Sequence, residues 1–148
     1  MGILDKMMIF AAGKEAEGKI PLAEKVLLRK ILIVEADENL KQEYLNLLPT
    51  GQYDVRGVNN GPDALNTLLT FSPDIMLIDL NIPIMNGKDL LHHMRAIPEY
   101  KMTPVLAIAE TGDIDTIRQV KLYDGAKGFL IKQNVTPGQT IAALLDLI

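Results

Sequence analysis

Three side chains that could take part in chemistry stand where apolar segments of the sequence end. Glu35, Asp79 and Lys132 each follow directly after a short apolar run. Such runs are typical of strands that are buried on both faces of a parallel sheet. The carboxyl ends of parallel strands lie along one edge of the sheet, where α/β folds bind their ligands. We therefore expect one pocket with two carboxylates and an ammonium group, which suits a divalent cation or an anionic covalent adduct.

The elements that must position these residues alternate regularly from Lys30 onward. The predicted strands are 31–34, 53–58, 75–78, 105–109 and 128–131, and the predicted helices are 40–48, 61–69, 88–94, 114–120 and 141–147. Strands that alternate with helices pair in parallel through right-handed crossovers, because only a helix spans the sheet and covers its face. The pattern predicts an α/β fold, a doubly wound (βα)5 three-layer sandwich around a five-stranded parallel sheet.

Composition excludes several classes of function. The formal net charge is -4, which argues against a nucleic-acid surface, because such a surface needs clustered Lys and Arg. The chain has no cysteine, so disulfides, thiolate metal sites and cysteine nucleophiles are excluded. The apolar segment 7–12 is too short for a secretory signal or a membrane span. We predict a cytoplasmic protein that binds neither nucleic acid nor membrane.

Residues 1–29 differ from the rest and are predicted to form an N-terminal extension, with the domain proper at 30–148. Four apolar residues fall along one side of a short predicted helix: Ile3, Leu4, Met7 and Met8. A glycine-containing linker follows. Two interpretations stay open, a partly disordered tail and an apolar helix that docks on this domain, on a second copy in a homodimer, or on a partner.

Three segments together resemble a known family. The segment 73–87, PDIMLIDLNIPIMNG, is similar to the phosphoacceptor strand and following loop of response-regulator receiver domains. The segment 31–40, ILIVEADENL, resembles the family's first strand with its acidic pair, and 125–133, GAKGFLIKQ, resembles its last strand with a terminal Lys. The resemblance covers residues 30–148 and implies a flavodoxin-like, single-domain receiver similar to chemotaxis response regulators.

The resemblance also implies roles for single residues. Asp79 would accept a phosphoryl group from a histidine kinase or phosphotransfer protein, and Lys132 would contact that group. Glu35, Asp79 and the backbone carbonyl of Asn81 would hold Mg²⁺. Phe129 stands at the position of the family's aromatic switch residue. Output would pass to a protein target through the face formed by the fourth helix, fifth strand and fifth helix, and no catalytic residue is implied.

The sequence departs from the family's pattern at its metal and switch positions. Ala36 replaces an acidic metal ligand, for which Asp37 is the candidate substitute, and Ala109 replaces a Ser or Thr that contacts the phosphoryl group. Loss of one charge-assisted contact removes roughly 1.5–3 kcal/mol. We therefore expect an impaired Mg²⁺ site and an impaired switch, unless Thr111 replaces the missing hydroxyl. Gln133 replaces the usual Pro after the Lys, so no cis peptide is expected there.

Three functions remain as alternatives. The first is a phosphorylation-dependent receiver. The second is a pseudo-receiver that binds its partner constitutively, with Glu35 and Lys132 as a static ion pair beside Asp79. The third, a flavin or nucleotide enzyme, is disfavoured because EADEN after the first strand offers no glycine-rich phosphate loop. We therefore predict a protein without enzymatic activity, and we expect His92 and His93 to be surface residues of the third helix.

Overall fold

The computed structural model describes residues 28–49 and 51–148, and the predicted helix of the N-terminal extension lies outside these ranges. The strands are β1 (Arg29–Val34), β2 (Tyr53–Val58), β3 (Ile75–Asp79), β4 (Val105–Ala109) and β5 (Gly128–Ile131). The helices are α1 (Glu38–Leu47), α2 (Gly61–Leu68), α3 (Gly87–Arg95), α4 (Ile114–Arg118) and α5 (Pro137–Leu145). A π turn, Gln119–Tyr123, continues α4, and 3-10 turns cover Pro98–Tyr100 and Lys132–Asn134. None of the described helices is long and apolar enough to cross a lipid bilayer.

The strands form one parallel sheet with the order β2-β1-β3-β4-β5. The predicted doubly wound α/β fold is confirmed. The strand order reverses at β1, which lies between β2 and β3. In open α/β sheets the crevice outside the strands at such a reversal is where ligands bind. The carboxyl ends of β1 and β3 are therefore the part of the edge that matters for function.

Each face of the sheet has its own apolar layer. One layer packs beneath α2, α3 and the π turn and includes Leu32, Val34, Met76, Ile78, Leu90, Leu91, Met94, Ala107 and Val120. The other packs beneath α1 and α5 and includes Ile31, Ile33, Tyr44, Leu77, Leu106, Ile108, Ile141 and Leu144. Alternate residues of the inner strands β1, β3 and β4 face opposite layers, so these strands are apolar wherever both faces are covered, whereas the edge strands β2 and β5 are half-buried. This burial explains the continuous apolar runs of the sequence.

Each of the helices α1 to α5 begins with a side chain that caps its backbone. The capping residues are Asp37, Asn60, Asn86, Asp113 and Thr136, and each accepts a hydrogen bond from the backbone N–H three residues further on. These bonds satisfy N–H groups that have no partner within the helix. The helices are thereby fixed at the edge of the sheet where the site residues lie.

The helices begin and end within two residues of their predicted bounds, except for the start of the last helix and the end of the fourth. The last helix begins at Pro137 instead of residue 141, because Thr136 and Gln139 form a reciprocal capping box ahead of it. The fourth helix changes to π geometry after Arg118 and extends to Tyr123, beyond the predicted end at 120. Apolar spacing marks neither feature, since both depend on backbone hydrogen bonds.

Ile84, in the loop between β3 and α3, adopts a left-handed backbone conformation with φ 71°. This conformation is unusual for a β-branched residue and costs about 1–2 kcal/mol. The side chain is 84% exposed, so its packing recovers little of that energy. Ile84→Asn is expected to raise the free energy of unfolding in urea by about 1 kcal/mol. Ile84→Val, which keeps the branched Cβ, should give no gain, and an equal gain in both variants would contradict the strain.

Candidate functional site

The structure brings Glu35, Asp79 and Lys132 together at the carboxyl edge of the sheet. Lys132 Nζ lies 2.8 Å from Glu35 Oε1 and 2.9 Å from Asp79 Oδ2. Glu35 follows β1, Asp79 ends β3 and Lys132 follows β5, so three separate strand ends supply the cluster. One ammonium group thus bridges two carboxylates.

Burial and charge set the protonation of this cluster. Glu35 and Asp79 are only 1% and 2% exposed. Burial raises the pKa of Glu35 to about 7, Lys132 opposes that rise, and Asp79 adds to it. Burial alone would lower the pKa of Lys132, but its contacts with Glu35 and Asp79 raise that pKa above its ordinary value. Lys132 therefore stays charged at neutral pH, whereas Glu35 titrates there.

The raised pKa of Glu35 predicts a pH dependence of stability. Between its ordinary value of 4.5 and about 7, the folded protein binds a proton at Glu35 that the unfolded chain has released. The contribution of Glu35 to the free energy of unfolding should therefore fall by about 1–3 kcal/mol as pH rises through this window. Urea denaturation at several pH values should show a flatter profile for Glu35→Gln than for the wild type. Glu99→Gln, at an exposed position, is the control, and equal profiles for all three proteins would contradict the prediction.

Asn81 connects Asp79 to the neighbouring loop. Its backbone N–H donates to Asp79 Oδ1 over 2.9 Å, and its side-chain Oδ1 accepts from the backbone N–H of Glu110 over 3.0 Å. The sequence indicated only the backbone carbonyl of Asn81. The side-chain contact depends on how the β3–α3 and β4–α4 loops pack, which no spacing pattern reveals.

The switch positions lie next to this cluster. A cavity of about 250 Å³ is lined by Leu80, Asn81, Asn86, Lys88, Ala109, Thr111, Asp113 and Thr116. Ala109 and Thr111 thus share one cavity. Lys88 adds a cation that was not among the predicted site residues. Phe129 is half-buried and packs against the core layer beneath α2 and α3.

Asp37, the candidate substitute for the missing acid, has another role in this structure. Its Oδ1 accepts from the backbone N–H of Leu40 over 3.1 Å and so caps α1. Its own backbone N–H donates to Glu35 Oε2 over 3.1 Å. Ala36 packs against the apolar core. The two carboxylates at the site are therefore those of Glu35 and Asp79.

The donor set still fits a magnesium ion. Mg²⁺ takes oxygen ligands, keeps several waters and is commonly bound by one or two carboxylates together with phosphate oxygens. Glu35 Oε1 is buried and has no well-aligned hydrogen bond, although it lies within ion-pair distance of Lys132. Within residues 28–49 and 51–148, no group of three acidic or histidine side chains is arranged to hold a metal. A metal here would therefore depend on two carboxylates, the carbonyl of Asn81 and water.

Other candidate residues lie away from the cluster. His92 and His93 are on the exposed side of α3, as the sequence predicted, although His92 Nδ1 lies 3.1 Å from Asp124 Oδ1. The sequence reading missed that contact. The peptide bond between Lys132 and Gln133 is trans, like every other described peptide bond.

Comparison with known proteins agrees with this geometry. The family model of the response regulator receiver domain matches residues 31–144. Regulatory protein LuxO of Vibrio vulnificus (strain YJ016) is 36% identical over 86 residues, 58% of this chain and 18% of that protein. A protein-glutamate methylesterase/protein-glutamine glutaminase of Desulfotalea psychrophila is 35% identical over 96 residues, 63% of this chain and 26% of that protein. The chain thus spans a minor part of the length of these relatives.

Solved structures share the fold. The chemotaxis response regulator CheY4 of Vibrio cholerae superposes with a TM-score of 0.72 at 25% identity, over 82% of this chain and 99% of that one. The signal receiver domain of a putative LuxO repressor protein from Vibrio parahaemolyticus gives a TM-score of 0.71 at 24% identity, over 80% and 88% of the two chains. Since the family model covers more than half of the chain and the whole sheet except Arg29 and Lys30, the chain belongs to the response regulator receiver domain family.

Proposed function

We propose that Asp79 is the phosphoacceptor of this receiver. Receiver domains act in two-component signalling and interact with histidine kinases or phosphotransfer proteins. The observation that carries the proposal is the setting of Asp79, with Lys132 at one carboxylate oxygen and the N–H of Asn81 at the other. A phosphorus–oxygen bond would form at Asp79 while the phosphorus–nitrogen bond of the donor's phosphohistidine breaks. Such a transfer needs mainly positioning and neutralisation of charge, which Lys132 supplies.

Magnesium binding at this site is proposed to be weak. Receiver domains typically bind Mg²⁺ at the phosphorylation site. Here Glu35, Asp79 and the carbonyl of Asn81 would hold the ion, which would neutralise phosphoryl oxygens. Lys132 already forms ion pairs with both carboxylates, and no acid stands at Ala36. An ammonium group repels a divalent cation, so the two compete for the same oxygens.

Output is proposed to pass through protein contacts at the α4–β5–α5 face. Phe129 lies on β5, which belongs to that face, and Thr111 offers a hydroxyl in the cavity that Ala109 lines. A hydroxyl in the loop is held less firmly than one on a strand, since loops are more mobile. The coupling between phosphorylation and output should therefore be weaker than with a strand hydroxyl at 109.

Beryllofluoride, which mimics a phosphoryl group on a carboxylate, tests the proposal. In Mg²⁺ buffer, we expect saturable chemical-shift changes around residue 79 in the wild type and none in Asp79→Asn. Asp146→Asn, at the exposed end of α5, is the matched control and should bind like the wild type. Ala36→Asp should lower the Mg²⁺ concentration needed. Absence of binding by the wild type at millimolar Mg²⁺ would contradict the proposal.

A pseudo-receiver is the second candidate, and one observation favours it. Lys132 forms ion pairs with both Glu35 and Asp79, which gives the pocket a stable arrangement made of its own side chains. In this function the domain binds its partner whether or not Asp79 is modified. Partner binding that is equal in the wild type and Asp79→Asn, together with no beryllofluoride binding, would support it. Dependence of partner binding on beryllofluoride would exclude it.

A further inference from the structure

Asp124, which follows the π turn after α4, has a buried carboxylate that is only half satisfied. The residue is 4% exposed. Its Oδ1 lies 3.1 Å from His92 Nδ1, whereas its Oδ2 is buried without any hydrogen-bond partner. A buried carboxylate oxygen without a partner is energetically costly. The described residues therefore leave this oxygen without a donor.

The nearest cation does not supply that donor. The guanidinium of Arg95 donates to the backbone carbonyls of Asp124, Tyr100, Thr103 and Gly125. None of these bonds reaches the carboxylate of Asp124. The backbone N–H of Asp124 donates to Gln119 over 2.9 Å, so the residue is held firmly in place. The carboxylate is thus preorganised and left with one free oxygen.

Asp124 lines an open cavity of about 460 Å³ between α3 and the π turn. The other lining residues are His92, Asp115, Arg118, Gln119 and Tyr123. Arg118 lies 3.9 Å from Asp115, so these two exposed charges offset each other. The charge that remains in the lining is the negative charge of Asp124. The cavity is therefore complementary to a cation.

We propose that this cavity receives an arginine side chain of a protein partner. A guanidinium group is planar and has five donors, so it can bind a carboxylate and stack on an aromatic ring at once. The exposed ring of Tyr123 offers such a stacking face. A metal ion fits less well, because no three histidine or acidic side chains among the described residues are arranged to hold one here.

Neighbouring apolar residues indicate a protein as the source of the guanidinium. Ile114 and Leu122 are largely exposed on the same helix and turn. Together with Ile117 they line a groove of about 290 Å³ that shares Arg118 with the acidic cavity. A free guanidine would leave this groove uncovered, whereas a peptide with an apolar residue beside the arginine covers both. Exposed apolar surface next to a polar pocket is typical of a protein interface.

His92 occupies the contact with Asp124 that the arginine would make. Its side chain is 72% exposed, so its rotation away from Asp124 would expose little additional surface. The arginine then takes over the contact with Asp124 that the imidazole makes in this structure. His92→Ala should therefore tighten the binding of arginine by about three- to tenfold, because no hydrogen bond has to be broken first. The inference deepens the proposed output through protein contacts and rests on it for the choice of a protein partner.

The test uses the full chain and two short peptides. The probe is N-acetyl-Leu-Arg-amide, and the control probe carries citrulline, which has the same shape without the charge. NMR titration of the labelled protein should give saturable shifts at residues 92 and 119–124 with the arginine probe alone. His92→Ala should bind more tightly, His93→Ala should match the wild type, and Asp124→Asn should lose the response. None of these measurements needs phosphorylation of Asp79, so failure of the beryllofluoride test leaves this result unaffected.

Several results would overturn the inference. Equal responses to the arginine and citrulline probes would show that charge is irrelevant. Equal affinities of His92→Ala and His93→Ala would show that His92 covers no site. Shifts confined to Ile114 and Leu122 would place the peptide in the apolar groove alone. If Asp124→Asn does not fold, the comparison of the two histidine variants decides the question.

Discussion

Lys132→Met is expected to destabilise the folded protein by about 3–5 kcal/mol at pH 8, since it leaves two buried carboxylates without their cation. Nζ of Lys132 is within 2.9 Å of both Glu35 and Asp79. Methionine keeps much of the apolar stem, so the change removes the charge more than the packing. Urea denaturation gives the free energies of unfolding. Lys127→Met is the control, because Lys127 is exposed.

The pH dependence of this loss separates charge from packing. Without Lys132, Glu35 loses the contact that opposes the rise of its pKa, so the pKa of Glu35 in the folded state lies further above that of the unfolded chain. The folded variant then binds more protons, and its stability falls more steeply as pH rises. The deficit of Lys132→Met should therefore be smaller at pH 5 than at pH 8. An equal deficit at both pH values would attribute the loss to the stem and contradict the electrostatic explanation.

Gly87→Ala is the second change with a large expected effect. A Cβ at this position would lie 2.5 Å from the backbone oxygen of Asp79 and 2.7 Å from Cα of Leu80. Both are backbone atoms at the end of β3, so neither moves without displacing Asp79. Overpacking of this kind costs about 1–3 kcal/mol, and we expect the upper part of that range. Beryllofluoride binding should weaken with the loss of stability.

A second glycine on a helix provides the control for Gly87→Ala. At Gly138 the nearest atom to an added Cβ is Thr136 Oγ1 at 3.8 Å, an ordinary contact. Since alanine favours helix more than glycine does, Gly138→Ala should stabilise α5 by about 0.5–1 kcal/mol. Thermal and urea unfolding of both variants provide the comparison. Similar stability changes in the two variants would mean that the β3–α3 junction is looser than its short distances indicate.

Much of the fold is predictable because parallel strands are buried on both faces. The bounds of β2, β4 and β5 agree with the predicted strands, of which β4 and β5 are apolar runs, and the order of elements follows from their alternation. The early start of α5 was not predictable from apolar spacing, because Thr136 and Gln139 act through hydrogen bonds. The π turn after α4 is likewise a property of backbone bonding. The spacing of apolar residues indicates which face of a helix is buried, but it does not indicate where the helix begins or ends.

The sequence predicted which residues lie together at the site better than it predicted which of their atoms are in contact. Glu35, Asp79 and Lys132 follow three strands whose carboxyl ends must share one edge, so their proximity follows from topology. Which oxygens Lys132 reaches depends on side-chain rotamers. The contact between His92 and Asp124 joins residues 32 apart in sequence and depends on how α3 packs beside the π turn. Such contacts require the packed structure.

The four hydrogen bonds that Arg95 donates to backbone carbonyls hold one end of the α4 segment in place. Two of them hold the chain at Asp124 and Gly125, directly after the π turn, and Ala126 N–H adds a bond to Val120. The other end of α4 begins at the exposed Asp113. Residues 114–123 are roughly 15 Å long at about 1.5 Å per residue, and they are held at their C-terminal end. If α4 moves, its N-terminal end, where Asp113 lines the same cavity as Asn81, would therefore be displaced more than the end that Arg95 holds.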